Sequence, residues 1–123
     1  MTSPRILIVE DDPAASQLVI QILKPRDVNI EVADDGVAAL EILRESTPDL
    51  VILDLALPRV DGWAILNTLN QAQRHVPVIV TTAHGQGSAA ERALNGGAQR
   101  FFEKPFIPAE LAQAIDELLP AAS

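Results

Sequence analysis

The chain has 123 residues, the size of one domain with a core of its own. With 17 acidic and 9 basic residues the net charge is −8, which sets it against phosphate backbones and anionic lipid, so neither direct nucleic-acid binding nor membrane binding is expected. There is no cysteine, which excludes disulfides, thiolate metal sites and thiol catalysis, and no apolar run approaches the ~18 residues of a membrane span.

In chain order, Ile6-Leu7-Ile8-Val9 is a short β-branched apolar run without alternation, the pattern of a strand covered on both faces. Asp12-Pro13 then reads as an N-cap acid and a proline at the first helical position of an amphipathic stretch through Leu18, Ile22 and Leu23, which stops by Pro25. Asn29 to Ala33 alternates polar and apolar, as an edge strand with one wet face would. After Asp34-Asp35-Gly36, a turn and helix cap, Val37, Leu40 and Leu43 recur at helical spacing. A strand is predicted over Leu50-Val51-Ile52-Leu53, a helix from Asp61 through Ile65, Leu66 and Leu69, and a strand over Val76 to Val80. A short Ala-rich helix from Ser88 to Asn95 stops at Gly96-Gly97. A weaker strand, Arg100 to Glu103, precedes a helix opened by Pro108 and carrying Leu111, Ile115, Leu118 and Leu119. Strands alternating with helices predict a doubly wound α/β domain with a parallel sheet and helices on both faces. It spans residues 1–123, with 120–123 as a tail or linker stub. With no secretory signal at its start, the chain is expected to be soluble and cytoplasmic.

Ligands of open α/β sheets bind beyond the carboxyl ends of the strands, so the residues following each strand are the candidates. They are Glu10, Asp11 and Asp12 after the first, Asp54 after the third, Thr81-Thr82 at the end of the fourth and Lys104 after the fifth. Taken singly, each has an ordinary structural reading as a solvated cap, a turn acid, a strand-end hydroxyl or a surface amine. Together they place carboxylates, a hydroxyl and an ammonium at one rim. Clustered carboxylates repel one another unless a cation neutralises them, and two or three oxygen ligands plus water suit Mg²⁺. Such a metal beside a lysine and a hydroxyl can bind a phosphoryl group, with Asp54 as nucleophile. His75 and His84 read as solvated, and neither has a second ligand at metal-like spacing. Arg59 and Arg100 read as surface charges.

These residues resemble the receiver domain of two-component response regulators, the family that includes single-domain chemotaxis regulators. The likeness covers essentially the whole chain and rests on Ile6 to Asp12, Ala33-Asp34-Asp35-Gly36, Leu53-Asp54-Leu55-Ala56-Leu57-Pro58 with Asp61-Gly62, Thr81-Thr82-Ala83, and Lys104-Pro105-Phe106. The resemblance implies a flavodoxin-like (βα)5 fold, a five-stranded parallel sheet of order 2-1-3-4-5 flanked by five helices. It implies Asp54 as phosphoacceptor and Asp11, Asp54 and the Ala56 backbone carbonyl as Mg²⁺ ligands, with Glu10 acting through water. It further implies Thr82 as the switch hydroxyl, Phe101 at the aromatic switch position, and Lys104, before a Lys-Pro bond that is usually cis, as the partner of phosphoryl oxygens. Ala56 and His84 take the positions that tune hydrolysis of the aspartyl-phosphate. Gln99-Arg100 stand where winged-helix transcription regulators carry an acidic pair at their dimer face.

The expected activity is two-component signalling: Asp54 takes a phosphoryl group from a phosphohistidine donor in a Mg²⁺-dependent reaction. A face formed by the fourth helix, fifth strand and fifth helix then switches to control a partner. The chain would phosphorylate and dephosphorylate itself without being a turnover enzyme. Expected partners are a sensor histidine kinase or histidine phosphotransfer protein and a downstream output protein or domain. A phosphorylation-dependent dimer belongs to the same expectation. Three alternatives stand beside it. A phosphorylation-independent interaction module would keep the same residues unused. An aspartyl phosphatase would need an acid two residues after Asp54, where this chain has Ala56. A flavin site would need a Gly/Ser/Thr-rich loop after the first strand, and that loop is acidic.

Overall fold

The computed structural model describes residues 3–57, 62–71, 75–83 and 89–119. Among them are five parallel strands, β1 (Arg5–Val9), β2 (Asn29–Ala33), β3 (Leu50–Asp54), β4 (Val78–Thr82) and β5 (Arg100–Glu103), in the order β2-β1-β3-β4-β5. Five helices alternate with them: α1 (Pro13–Leu23), α2 (Gly36–Glu45), α3 (Gly62–Gln71), α4 (Ala89–Asn95) and α5 (Pro108–Leu118). This is the fold expected from the sequence. No helix among the described residues is long and apolar enough to cross a membrane.

Period-two alternation divides each strand between two cores. Leu7, Val9, Val51, Leu53, Val78 and Val80 pack with Ala39 of α2, Ile65, Leu66 and Leu69 of α3, and Ala93 of α4. Ile6, Ile8, Leu50, Ile52 and Ile79 pack with Val19 and Leu23 of α1 and Leu111, Ala114 and Ile115 of α5. Every residue of β3 and of β4 is buried, which is why their sequences are apolar without alternation up to their last polar residues. β2 pairs only with β1, as an edge strand, and leaves both Glu31 and Val32 exposed, so the apolar phase of its alternation is not fully covered.

The helix starts follow from local chemistry. The Asp12 carboxylate accepts from the Ala14 N–H at 3.1 Å ahead of Pro13, and Asp35 accepts from the Ala38 N–H at 2.8 Å. The fourth strand is displaced from its expected span: it runs Val78–Thr82 and not from Val76. Pro77 has no N–H to give a ladder, although its carbonyl accepts from Val51 N at 3.0 Å. Pairing with β5 meanwhile carries β4 forward through Thr81 and Thr82. The helix starts expected at Asp61 and Ser88 lie outside the described residues.

Candidate functional site

Because all five strands are parallel, their carboxyl ends share one rim. Glu10, one residue past β1, continues the ladder: its N–H donates to the Ala33 carbonyl at 3.0 Å. Its side chain is buried in consequence, only 5% exposed, and its Oε2 accepts from the Asp12 N–H at 3.2 Å. Asp11 and Asp12 turn outward and are exposed.

Asp54 is the last residue of β3, in register with Thr81 of β4, and is as buried as Glu10. Its Oδ1 accepts from the Ala56 N–H at 3.0 Å, so the turn that leaves the strand orients the carboxylate. The start of α3 presses on that turn. The Gly62 N–H donates to the Leu55 carbonyl at 3.0 Å. A Cβ on Gly62 would lie 2.4 Å from Leu55 Cα and 2.6 Å from the Asp54 carbonyl oxygen, so only glycine fits.

Lys104 arrives from β5. Its N–H donates to the Thr82 carbonyl at 2.9 Å, and the Lys104–Pro105 peptide is cis. Its ammonium donates to Glu10 Oε1 and reaches Asp54 Oδ2 at 3.4 Å. Carboxylate oxygens of Glu10, Asp11 and Asp54 lie within 4.8 Å of one another. Three carboxylates thus face one ammonium. Burial, reinforced by the Asp54 carboxylate, pushes Glu10 up to about 7. Burial alone would lower the Lys104 amine, but the hydrogen bond and charge of Glu10, together with Asp54, outweigh it and raise it. A crowded, under-neutralised set of oxygen donors is what a hard divalent cation binds, so these residues fit a Mg²⁺-type ion.

The structure therefore brings Glu10, Asp11, Asp54 and Lys104 into one cleft, with the Ala56 backbone at its edge. Thr82 is fully buried at the end of β4. Phe101 is half-buried and packs into the core shared with α2, α3 and α4, on the other face of the sheet from Asp54. His84 lies outside the described residues. His75 is exposed, and its Nε2 is 3.1 Å from Gln99 Nε2. The sequence names Thr81 beside Thr82 at the end of the fourth strand but gives it no role; it is 3% exposed and stands in register beside Asp54. The period-two count from Ile79 was the available signal.

The model of the response regulator receiver domain matches residues 6–116. The chain belongs to that family. This receiver is 36% identical over 118 residues to the DNA-binding dual master transcriptional regulator RpaA of Synechocystis sp., covering 94% of this chain and 49% of that protein. It spans about half the length of the curated relatives it matches. Among solved structures, the signal receiver domain of a LuxO repressor protein from Vibrio parahaemolyticus superposes with a TM-score of 0.88 at 34% identity, covering 94% of this chain and 88% of that one. The receiver domain of the sensor histidine kinase PA1611 from Pseudomonas aeruginosa superposes with a TM-score of 0.82 at 26% identity, over 95% and 98% of the two chains. That structure has a magnesium ion coordinated in its active site cleft. Membership makes this chain a receiver domain of two-component signalling.

Proposed function

We propose that this receiver accepts a phosphoryl group on Asp54 from a phosphohistidine donor in a Mg²⁺-dependent reaction. The observation that carries the reading is the cleft itself, where Lys104 is pinned by Glu10 with its ammonium 3.4 Å from the Oδ2 of Asp54. In the transfer, an Asp54 carboxylate oxygen bonds to phosphorus in line. The phosphorus–nitrogen bond of the donor breaks, and its electron pair returns to the imidazole. Lys104 meets the charge on the transferred oxygens. Asp11, Asp54 and the Ala56 carbonyl, with Glu10 through water, would hold Mg²⁺. Bound there, Mg²⁺ supplies neutralisation of the charge that gathers on the transferring group. The magnesium in the Pseudomonas receiver supports this assignment.

Thr82, buried beside the site, moves to bond a phosphoryl oxygen, and Phe101 follows into the space it leaves. The added charge of roughly −1.5 to −2 biases the face formed by α4, β5 and α5 between two arrangements that an output partner reads. Phosphohistidine donors of the kinase or phosphotransfer class are the partners upstream. The domain acts as a self-phosphorylating and self-dephosphorylating acceptor with no turnover substrate. Its net charge of −8 argues against phosphate-backbone contact by these 123 residues. Asp54→Asn should take up no phosphate from acetyl phosphate and Mg²⁺ while the unaltered chain gains one phosphoryl mass. Labelling that survives at another residue would overturn the assignment.

A further inference from the structure

Thr81 carries a hydroxyl for which neither the fold nor the phosphoacceptor reading has a use. It follows Ile79 by two residues, and Asp54 follows Ile52 by two, so both side chains rise on the face of the sheet that packs against α1 and α5. The two are Cα partners on neighbouring strands, about 4.8 Å apart by sheet geometry. Thr81 is 97% buried by its 3% exposure, yet its hydroxyl enters no side-chain hydrogen bond among the described residues. No fully buried polar side-chain atom there lacks a partner, so that oxygen must carry part of the thin surface Thr81 shows. That hydroxyl is neither bonded nor fully covered, and the register sets it one strand away from the Asp54 carboxylate on the same face.

We propose that the Thr81 hydroxyl, unbonded in this structure, turns to donate to the Asp54 carboxylate as the aspartyl-phosphate breaks down, and so sets the rate at which that phosphate is lost. The proposal rests on Asp54 being the phosphoacceptor. In hydrolysis a water oxygen bonds to phosphorus, the phosphorus–oxygen bond to Asp54 breaks, and its electron pair stays on the carboxylate. The proton from water leaves with inorganic phosphate and solvent. Asp54 is the leaving group, and a donor that turns to its carboxyl stabilises the charge as it develops. Ala56 has no polar side chain to act on this step, which leaves Thr81 as the described side chain placed to do so from β4.

The full chain is loaded with acetyl phosphate and Mg²⁺, the donor is removed, and loss of the phosphoryl mass is followed by intact-mass spectrometry. Thr81→Val, which keeps the shape without the hydroxyl, and Thr81→Ala, which cannot overpack, should each lengthen the lifetime about threefold or more, the effect of one lost hydrogen bond of ordinary strength. Thr81→Ser should stay within about twofold of the unaltered chain, a rescue that a purely packing role would not produce. Unchanged or shorter lifetimes in Val and Ala, or a serine variant as slow as valine, overturn the proposal alone. An unaltered chain that takes no label overturns the phosphoacceptor reading, and this one with it.

Discussion

Lys104 is one of only two lysines in the chain, and it is spent on two carboxylates at once. Removing it as Lys104→Met leaves Glu10 and Asp54 buried with no cation between them. In metal-free buffer this should destabilise the fold by on the order of 1–3 kcal/mol in urea unfolding, because an uncompensated buried charge costs more than its pair gained. A midpoint equal to that of the unaltered chain would show that the ammonium is not holding the cleft together. The same excess of negative charge predicts that Mg²⁺ raises the melting temperature, since an ion that binds only the folded cleft stabilises it by mass action. Asp11→Asn should weaken that stabilisation, raising the magnesium dissociation constant by about tenfold or more in calorimetric titration. An unchanged constant would remove Asp11 from the ligand set. Each of these side chains was visible in the sequence as the residue at or just past a strand end. What was not visible was the pairing, because Lys104 and Glu10 are 94 positions apart and nothing local chooses Glu10 over Asp54 as its closer partner.

The strands were the most legible elements. β1 and β3 lie between helices on both faces, so their apolar runs had no polar phase to confuse them. β4 was misplaced by two residues because Val76 is buried, 4% exposed, and apolar yet precedes a proline, and only pairing to β3, which starts at Val78, shows where the ladder begins. Helices α3 and α4 owe their seating to contacts that no periodicity contains. Gly62 has no room for a methyl group against the Leu55 and Asp54 backbone. Gly62→Ala must therefore displace the start of α3 or the turn after Asp54, at a cost of about 3 kcal/mol or more by chemical denaturation. A loss below about 1 kcal/mol would mean that the turn yields freely. α4 ends at Gly97, whose φ of 110° and 2.4 Å Cβ approach to Asn70 Oδ1 again admit only glycine. The Arg92 guanidinium lies 4.0 Å from the Trp63 ring centroid, a link between α3 and α4 worth about 0.5–1 kcal/mol at an exposed site. Contacts with α3 thus meet the Ala-rich fourth helix at its middle and just past its end.

Across the molecule, the α1–α5 layer is tied at the end of the sheet remote from the cleft. Arg26, just beyond α1, donates to both carboxylate oxygens of Asp116 on α5 at 2.7 and 2.8 Å, and to the Ile22 carbonyl at 2.6 Å. The guanidinium holds the Asp116 carboxyl below its ordinary value, chiefly through the hydrogen bond. A depressed folded value means that the pair stabilises the fold above the usual carboxylate range and that this contribution is lost as pH falls through the folded value. Asp116 is 59% exposed, so solvent screening keeps the effect under about 1 kcal/mol. Asp116→Asn should therefore lower the urea midpoint at pH 7 and match the unaltered chain near pH 2. A gap that persists in acid would assign the loss to packing and not to charge.

Alternation, caps and strand-end acids are local properties, and from them the chain by itself determined a doubly wound parallel sheet and the rim at which its unusual polar residues meet. Burial on both faces left no other arrangement for those runs. Which oxygen Lys104 takes, how far Glu10 is pushed toward neutrality, where Gly62 must touch and that Thr81 stands beside Asp54 were decided only by the tertiary structure. Each depends on the distance between atoms on different strands and helices, and distances of that kind exist only once the sheet has set its register.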